Sequence, residues 1–112
     1  MKIVSGSLSR NELTELAAGK FGFVKAVVDL GRGILAVDAE LHADLEALLL
    51  QDGSKQTDLW GINLHPDAEG DALVEYDSMI NIRPSQGNRS RDVQDPALRR
   101  KILDLVAKKV LS

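Results

Sequence analysis

The chain has 112 residues, a length that fits one compact domain over residues 1–112, and a net charge of −3. It contains no cysteine, which excludes disulfide bonds, thiolate metal sites and cysteine nucleophiles. No apolar run approaches the roughly 20 residues needed to span a bilayer, and the first residues lack the apolar core of a signal peptide. We therefore expect a soluble, cytoplasmic protein that makes no membrane contact.

The first predicted elements are a short strand at residues 3–4 and a helix that begins at residue 9. Residues 9–12 (SRNE) form a capping box, with a hydroxyl at the N-cap and a carboxylate three residues later. Gly19 or Gly22 is expected to end this helix, because glycine interrupts the helical pattern.

A hairpin and a second helix follow. Residues 23–30 are rich in valine and predict a strand, and the glycine turn at residues 31–33 returns the chain into a strand at residues 34–37. Residues 40–51 predict a helix, with Gly53 placed where a left-handed C-terminal glycine belongs. This helix is apolar on more than one side, so it is either covered within the monomer or forms a homodimer contact.

The last third predicts two strands and a helix. Residues 59–64 alternate with Trp60, Ile62 and Leu64 on one face, and residues 72–83 give the longest strand signal of the chain. Asp95 and Pro96 then begin the last helix, as an acidic N-cap and a proline at the first helical position. The order β-α-β-β-α-β-β-α predicts an α+β two-layer sandwich with a largely antiparallel sheet.

The most distinctive segment is the polar loop at residues 81–92 (NIRPSQGNRSRD). Residues 1–82 carry six Lys or Arg against fourteen Asp or Glu, whereas residues 83–112 carry eight against three. Basic charge thus begins at this loop and continues through the last helix. Either this is the ordinary charge of a helix surface, or loop and helix form one electropositive patch.

Guanidinium groups hold phosphate or carboxylate oxygens in a planar fork, and amide and hydroxyl groups can supply further donors. The leading hypothesis is therefore an anion site whose ligand is a phosphate-bearing small molecule, a nucleotide or RNA. Its candidate residues are Arg83, Ser85, Gln86, Asn88, Arg89, Ser90 and Arg91. The alternative is structural: the arginines pair with carboxylates such as Asp77 or Asp92, and Asn88 and Ser90 satisfy the loop backbone.

A second hypothesis is a small acid–base enzyme. If residues 59–65 and 72–83 form a hairpin, His65 can share a sheet face with Glu75 and Asp77, and a histidine beside a carboxylate is a plausible general base. His42 is the other candidate. The alternative is a solvent-facing sheet surface with cross-strand ion pairs.

Other chemistry has little support in the sequence. His42 and Glu46 share a helix face, but two ligands do not make a metal site, and we predict none. No Walker loop, GxGxxG motif or nucleophile elbow is present, and no cofactor is predicted. A third hypothesis is a non-catalytic protein that forms a homodimer through the leucine-rich helix.

Three segments resemble a family of small prokaryotic proteins with no assigned function. They are residues 40–44 (ELHAD), residues 53–56 (GSKQ) with residues 58–63 (DLWGIN), and residues 77–91 (DSMINIRPSQGNRSR). The likeness extends from about Val24 to the last helix, and the third segment is its most specific part. Members of that family often carry a Gly-Gly pair before the Glu-Leu-His segment, where this chain has Asp38 and Ala39. The resemblance implies a compact stand-alone domain and no particular reaction, cofactor or catalytic residue.

Overall fold

The computed structural model describes residues 1–18 and 21–111, which form one five-stranded sheet with helices on both faces. In chain order the elements are β1 (Lys2–Val4), β2 (Leu8–Ser9), α1 (Arg10–Ala17), β3 (Val24–Asp29), β4 (Ile34–Val37), α2 (His42–Gln51), β5 (Leu59–Leu64), β6 (Val74–Glu75), α3 (Pro96–Lys109) and β7 (Val110–Leu111). The sheet order is β1-β4-β3-β5-β6, with every pair antiparallel, and β2 pairs separately with β7 in parallel. The α+β class, the largely antiparallel sheet and the predicted order of elements are confirmed, with β2 and β7 as additions.

Local capping interactions fix where α1 and α3 begin. The hydroxyl of Ser9 accepts from the backbone N–H of Glu12 at 3.1 Å, and the Glu12 carboxylate accepts from the N–H of Ser9 at 3.3 Å. Asp95 caps α3 by accepting from the N–H of Ala97 at 2.8 Å, with Pro96 at the first helical position. Both predicted starts are confirmed, because each depends on groups within three residues of one another.

Helix ends agree with the sequence less closely. Helix α1 ends at Ala17, ahead of both proposed glycines, and Gly19 lies outside the described residues. Gly53 follows α2 with a φ of 104°, a positive value that glycine adopts without steric cost. Within residues 1–18 and 21–111, no helix is long and apolar enough to cross a membrane.

The alternating side chains of the sheet form two apolar clusters. One face packs against α1 and α3 and contains Trp60, Ile62 and Leu64, as predicted. The other face packs against α2 through Val27, Leu45, Leu49 and Leu59, among others. Helix α2 therefore packs one side against the sheet and leaves Leu50 on its outer side 39% exposed, and its N-terminus lies over β5, where His42 contacts the Ile62 carbonyl.

The prediction of one long strand over residues 72–83 is wrong. Only Val74 and Glu75 pair with β5, and 3₁₀ turns occupy Gly70–Leu73, Met79–Asn81 and Pro84–Gln86. Side chains replace the missing strand along the outer edge of β5. The Asn81 amide accepts from Gly61 N–H at 2.8 Å and donates to Gly61 C=O at 2.9 Å. An amide side chain thus makes the two bonds that a neighbouring strand would make.

Candidate functional site

Three polar side chains form a cross-strand row on the α2-side face of the sheet. Lys25 lies opposite Asn63 in the β3–β5 register, and Asn63 lies opposite Glu75 in the β5–β6 register. Residues directly opposite in an antiparallel pair project to the same face, about 5 Å apart at Cβ. This register brings His65, two residues beyond Asn63, to the face of Glu75 as predicted, whereas Asp77 follows the end of β6 and pairs with Arg91 instead.

Glu75 holds the two side chains beside it. Its Oε1 accepts a hydrogen bond from Asn63 Nδ2 at 3.0 Å and lies 3.1 Å from His65 Nε2. A carboxylate can only accept, so in its neutral form the His65 imidazole donates through Nε2–H and keeps the lone pair on Nδ1. The side chains of His65 and Glu75 are 31% and 50% exposed, so this dyad is open to a ligand from solvent.

Two groups in the row lack a partner. Asn63 is only 4% exposed, and its buried Oδ1 accepts no hydrogen bond from any described residue. Lys25 is half-buried, and within residues 1–18 and 21–111 its ammonium makes no hydrogen bond or ion pair. A buried unpaired acceptor costs about 1–3 kcal/mol. The row therefore presents an unused acceptor and an unused cation next to each other.

The second candidate histidine has a different environment. His42 is 8% exposed, and its Nε2 lies 2.8 Å from the carbonyl oxygen of Ile62. Burial lowers the pKa of His42 below its ordinary value, although the hydrogen bond to Ile62 opposes that shift. Because a carbonyl oxygen can only accept a hydrogen bond, Nε2 of His42 carries the proton and donates to the Ile62 carbonyl of β5. His42 is best described as a neutral structural imidazole.

His42 and Glu46, which share a face of α2, have separate partners in the fold. The Glu46 carboxylate lies 3.9 Å from the guanidinium of Arg83, and its Oε2 accepts no hydrogen bond from described residues. In the described part of the chain, no three His, Asp or Glu side chains come close enough to hold a metal ion.

Arg83, the first loop arginine, is fully engaged within the protein. Its Nε donates to the Ile80 carbonyl at 3.0 Å, its Nη1 donates to the Gln56 carbonyl at 2.8 Å, and its Nη2 donates to the Leu59 carbonyl. Its guanidinium also lies 4.7 Å from the centre of the Trp60 ring. Only 10% of the Arg83 side chain is exposed, so it fastens the loop to the edge of β5.

The amide residues of the loop are engaged in the same way. Asn88 is 3% exposed, the two N–H groups of its Nδ2 are shared among the carbonyl oxygens of Asn81, Ser90 and Asp92, and its Oδ1 accepts from Gln94 N–H at 2.8 Å. These bonds fold the loop around a single side chain.

The other loop candidates are closer to the surface. Gln86 accepts from Arg83 and donates to the Thr57 carbonyl at 3.1 Å, and Ser90 accepts from Asp92 N–H at 3.2 Å. Ser85 is exposed.

Arg89 and Arg91 are the loop arginines that keep free donors. Arg91 donates through Nε to Asp77 at 2.6 Å, as the structural alternative proposed, and its side chain is 54% exposed. Its terminal nitrogens have no hydrogen bond with a described residue. Arg89 is exposed, and its guanidinium has no partner among residues 1–18 and 21–111. An anion site in this loop stays a prediction, and its available charge is that of Arg89 and Arg91.

A cavity of about 160 Å³ lies beside the row. Its described lining comprises Leu16, Phe21, Phe23, Val24, Lys25, Asp38, Ala39 and Glu40. The Phe21 and Phe23 rings stack with centroids 5.8 Å apart, and the Phe23 ring lies 5.4 Å from that of His65. Phe23 and Lys25 therefore connect the cavity to the dyad.

The cavity wall includes a strained residue. Asp38 has a φ of 75°, a left-handed conformation that side chains other than glycine rarely adopt. A glycine at this place would adopt it without strain.

Sequence patterns alone did not indicate the roles of Phe21, Phe23 and Lys25. Lys25 is the one charged residue inside an otherwise apolar run of β3, before its terminal Asp29, and that could have drawn attention to it. Its opposition to Asn63 depends on a register between segments nearly forty residues apart.

The comparison with protein families gives one match. The model of a family described as a protein of unknown function (DUF5674) matches residues 2–109. The chain belongs to the DUF5674 family. This membership confirms the resemblance to a family of uncharacterised proteins. Comparisons with curated proteins and with solved structures found no match for this DUF5674 chain. A role for it is therefore argued from the site alone.

Proposed function

We propose that this protein is a small acid–base enzyme in which His65, held by Glu75, exchanges a proton with a small-molecule substrate. The observation that carries the proposal is the shared oxygen of Glu75, which lies within hydrogen-bond distance of His65 and Asn63 together. Asn63 fixes the carboxylate, and the carboxylate in turn selects the tautomer of His65. A base positioned in this way contributes typically 10²–10⁴-fold to a rate.

The direction of proton transfer follows from the tautomer. The substrate proton moves to the lone pair on Nδ1 of His65, and the electron pair it leaves remains on the substrate. Nε2–H keeps its bond to Glu75, whose negative charge stabilises the imidazolium that forms. The proton returns from Nδ1 in the reverse step, so Glu75 itself is never protonated.

Elimination of 5-nitrobenzisoxazole tests the proposal without a natural substrate. A base removes the C–H proton of the five-membered ring, that electron pair forms the nitrile, and the N–O bond breaks to give a coloured cyanophenolate. We expect a saturable rate above buffer that falls at least tenfold in His65→Gln and several-fold in Glu75→Gln. Asp104→Asn, which alters an exposed carboxylate on α3 across the sheet from the dyad, is the matched control.

Two results would overturn the acid–base proposal. One is a wild-type rate no higher than that of buffer at the same pH. The other is an equal rate in wild type and in a His65→Gln variant whose circular dichroism and unfolding midpoint match the wild type.

Binding of a phosphate-bearing molecule or RNA is the second candidate, favoured by the free donors of Arg89 and the terminal nitrogens of Arg91. A short RNA oligomer and inorganic phosphate are suitable probes. Binding should weaken with salt, because cations that contact phosphates displace counterions. The combined Arg89→Ala and Arg91→Ala variant should lose it, whereas Arg100→Ala on α3 should keep most of it. Equal affinity in the loop variant and the wild type would reject this candidate.

A further inference from the structure

We infer that the cavity beside the dyad binds a planar aromatic acid, with its ring against Phe21 and Phe23 and its carboxylate on Lys25. The inference deepens the proposed function and rests on it in one respect: it names the class of substrate that would be presented to His65. The occupant is a single six-membered ring that carries a carboxylate and a hydroxyl or amino substituent.

The size of the cavity selects a single ring. Its volume is about 160 Å³. An apolar cavity of about 150 Å³ in another protein accommodates benzene, whereas sites for drug-sized ligands measure about 300–1,000 Å³. A bicyclic body would therefore extend into solvent.

The aromatic wall favours a flat ring. Phe21 is 73% exposed, the highest value among the large exposed apolar side chains of the described chain, and it has no apolar cover on its outer side. Its stack on Phe23, with centroids 5.8 Å apart, leaves a ring face open beside the cavity. Aromatic pairs at such separations gain about 0.5–1.5 kcal/mol beyond area burial, and a planar ligand would recover that gain.

The unused polar groups specify the substituents. The half-buried ammonium of Lys25 has no counterion among described residues, so it favours a carboxylate on the ligand. His65 lies beside the cavity residue Phe23, with ring centroids 5.4 Å apart, and the lone pair on its Nδ1 favours a ligand O–H or N–H. Since Phe23 and Lys25 both line the cavity, both contacts can come from one small molecule.

The two acidic residues of the lining do not reverse this preference. Asp38 lies 3.7 Å from the N-terminal ammonium, which offsets part of its charge. Glu40 is exposed, so water and salt screen its charge more strongly than that of half-buried Lys25.

The test is a chemical-shift titration of the ¹⁵N-labelled protein with 3-hydroxybenzoate. We expect saturable shifts at the amides of Phe23, Lys25 and Asn63, with a dissociation constant of about a millimolar, as suits a ligand of this size. Benzoate should bind more weakly because it lacks the hydroxyl donor, and cyclohexanecarboxylate should bind more weakly because it is not flat. Benzylammonium should not bind at this site.

Variants test the contact of Lys25 with the ligand carboxylate and the contact of Phe21 with the ligand ring separately. Lys25→Met should weaken 3-hydroxybenzoate binding roughly tenfold or more, as expected for a lost charged hydrogen bond, whereas Lys25→Arg should retain it. Phe21→Ala should weaken binding and abolish the preference for flat over saturated rings. Met79→Ala removes another large exposed apolar side chain, outside the cavity lining, and should bind like wild type.

The outcomes distinguish this inference from the acid–base proposal. Binding that is absent, or unchanged in both Lys25→Met and Phe21→Ala, would overturn the inference even if elimination still depended on His65. Binding with the expected variant pattern would support it. If elimination were then indifferent to His65→Gln, the cavity would stand as a binding site and the catalytic proposal alone would fail.

Discussion

The Asn81 side chain replaces a strand at the outer edge of β5, and its removal should measure what that replacement contributes. Asn81→Ala deletes the acceptor for Gly61 N–H at 2.8 Å and the donor to Gly61 C=O at 2.9 Å. It also deletes the donor to Arg91 C=O, but that carbonyl keeps the N–H of Ser78 at 3.0 Å. Two buried backbone groups therefore lose their partners. At about 1–2 kcal/mol each, the free energy of unfolding should fall by about 2–4 kcal/mol.

Urea denaturation followed by circular dichroism measures this loss. For a domain of this size the change corresponds to a fall in midpoint of roughly 1–2 M. Asn11→Ala on the exposed side of α1 is the control, and its change should stay within about 0.5 kcal/mol. Asn81→Asp keeps the acceptor but loses both donors and buries a charge, so it should be no more stable than Asn81→Ala. A loss below about 1 kcal/mol in Asn81→Ala would refute the strand-replacement argument.

Three further predictions concern Gly61, His42 and α2. A Cβ at Gly61 would lie 2.5 Å from the buried Ser78 hydroxyl, so Gly61→Ala should lower the unfolding free energy by about 1–3 kcal/mol, and an unchanged urea midpoint would contradict the close approach. Burial lowers the pKa of His42 in the folded protein, so on acidification the unfolded chain binds a proton at His42 before the folded protein does. The contribution of His42 to stability should therefore be complete above about pH 6.5 and should decline as the pH falls toward the pKa of the folded state. His42→Gln should flatten that decline in denaturation midpoints between about pH 5 and 8, and an identical slope would argue against a buried neutral imidazole. If α2 forms a homodimer through its exposed residues, such as Leu50 at 39% exposure, sedimentation should show association that Leu50→Glu abolishes, and a strict monomer at all concentrations would reject it.

The elements that the sequence determined are those whose causes are local. The capping box of Ser9 and Glu12 and the start of α3 at Asp95 each involve groups within three residues, so their bonds form wherever the chain goes. The hairpin of β3 and β4 likewise follows from an apolar run, a glycine turn and a second run. Period-two alternation also predicted that His65 and Glu75 share a face, which they do because β5 and β6 pair over Asn63 and Leu64, but Asp77, predicted on the same face, pairs with Arg91 instead.

Only the tertiary structure decided how residues 76–91 are used. The strand-like alternation of the sequence continues to residue 83, but the groups that satisfy the edge of β5 are side chains of Asn81 and Arg83, bonded to residues 20 to 27 positions earlier. A periodic pattern describes which side of the chain is apolar, and it carries no information about which distant carbonyl a guanidinium will reach. For the same reason, the sequence could not show that Arg83 is hydrogen-bonded within the protein whereas Arg89 and Arg91 keep free donors. The cavity between Leu16, Lys25 and Asp38 also arises only when three separate segments meet, because burial and unpaired donors are properties of packed neighbours and not of residue order.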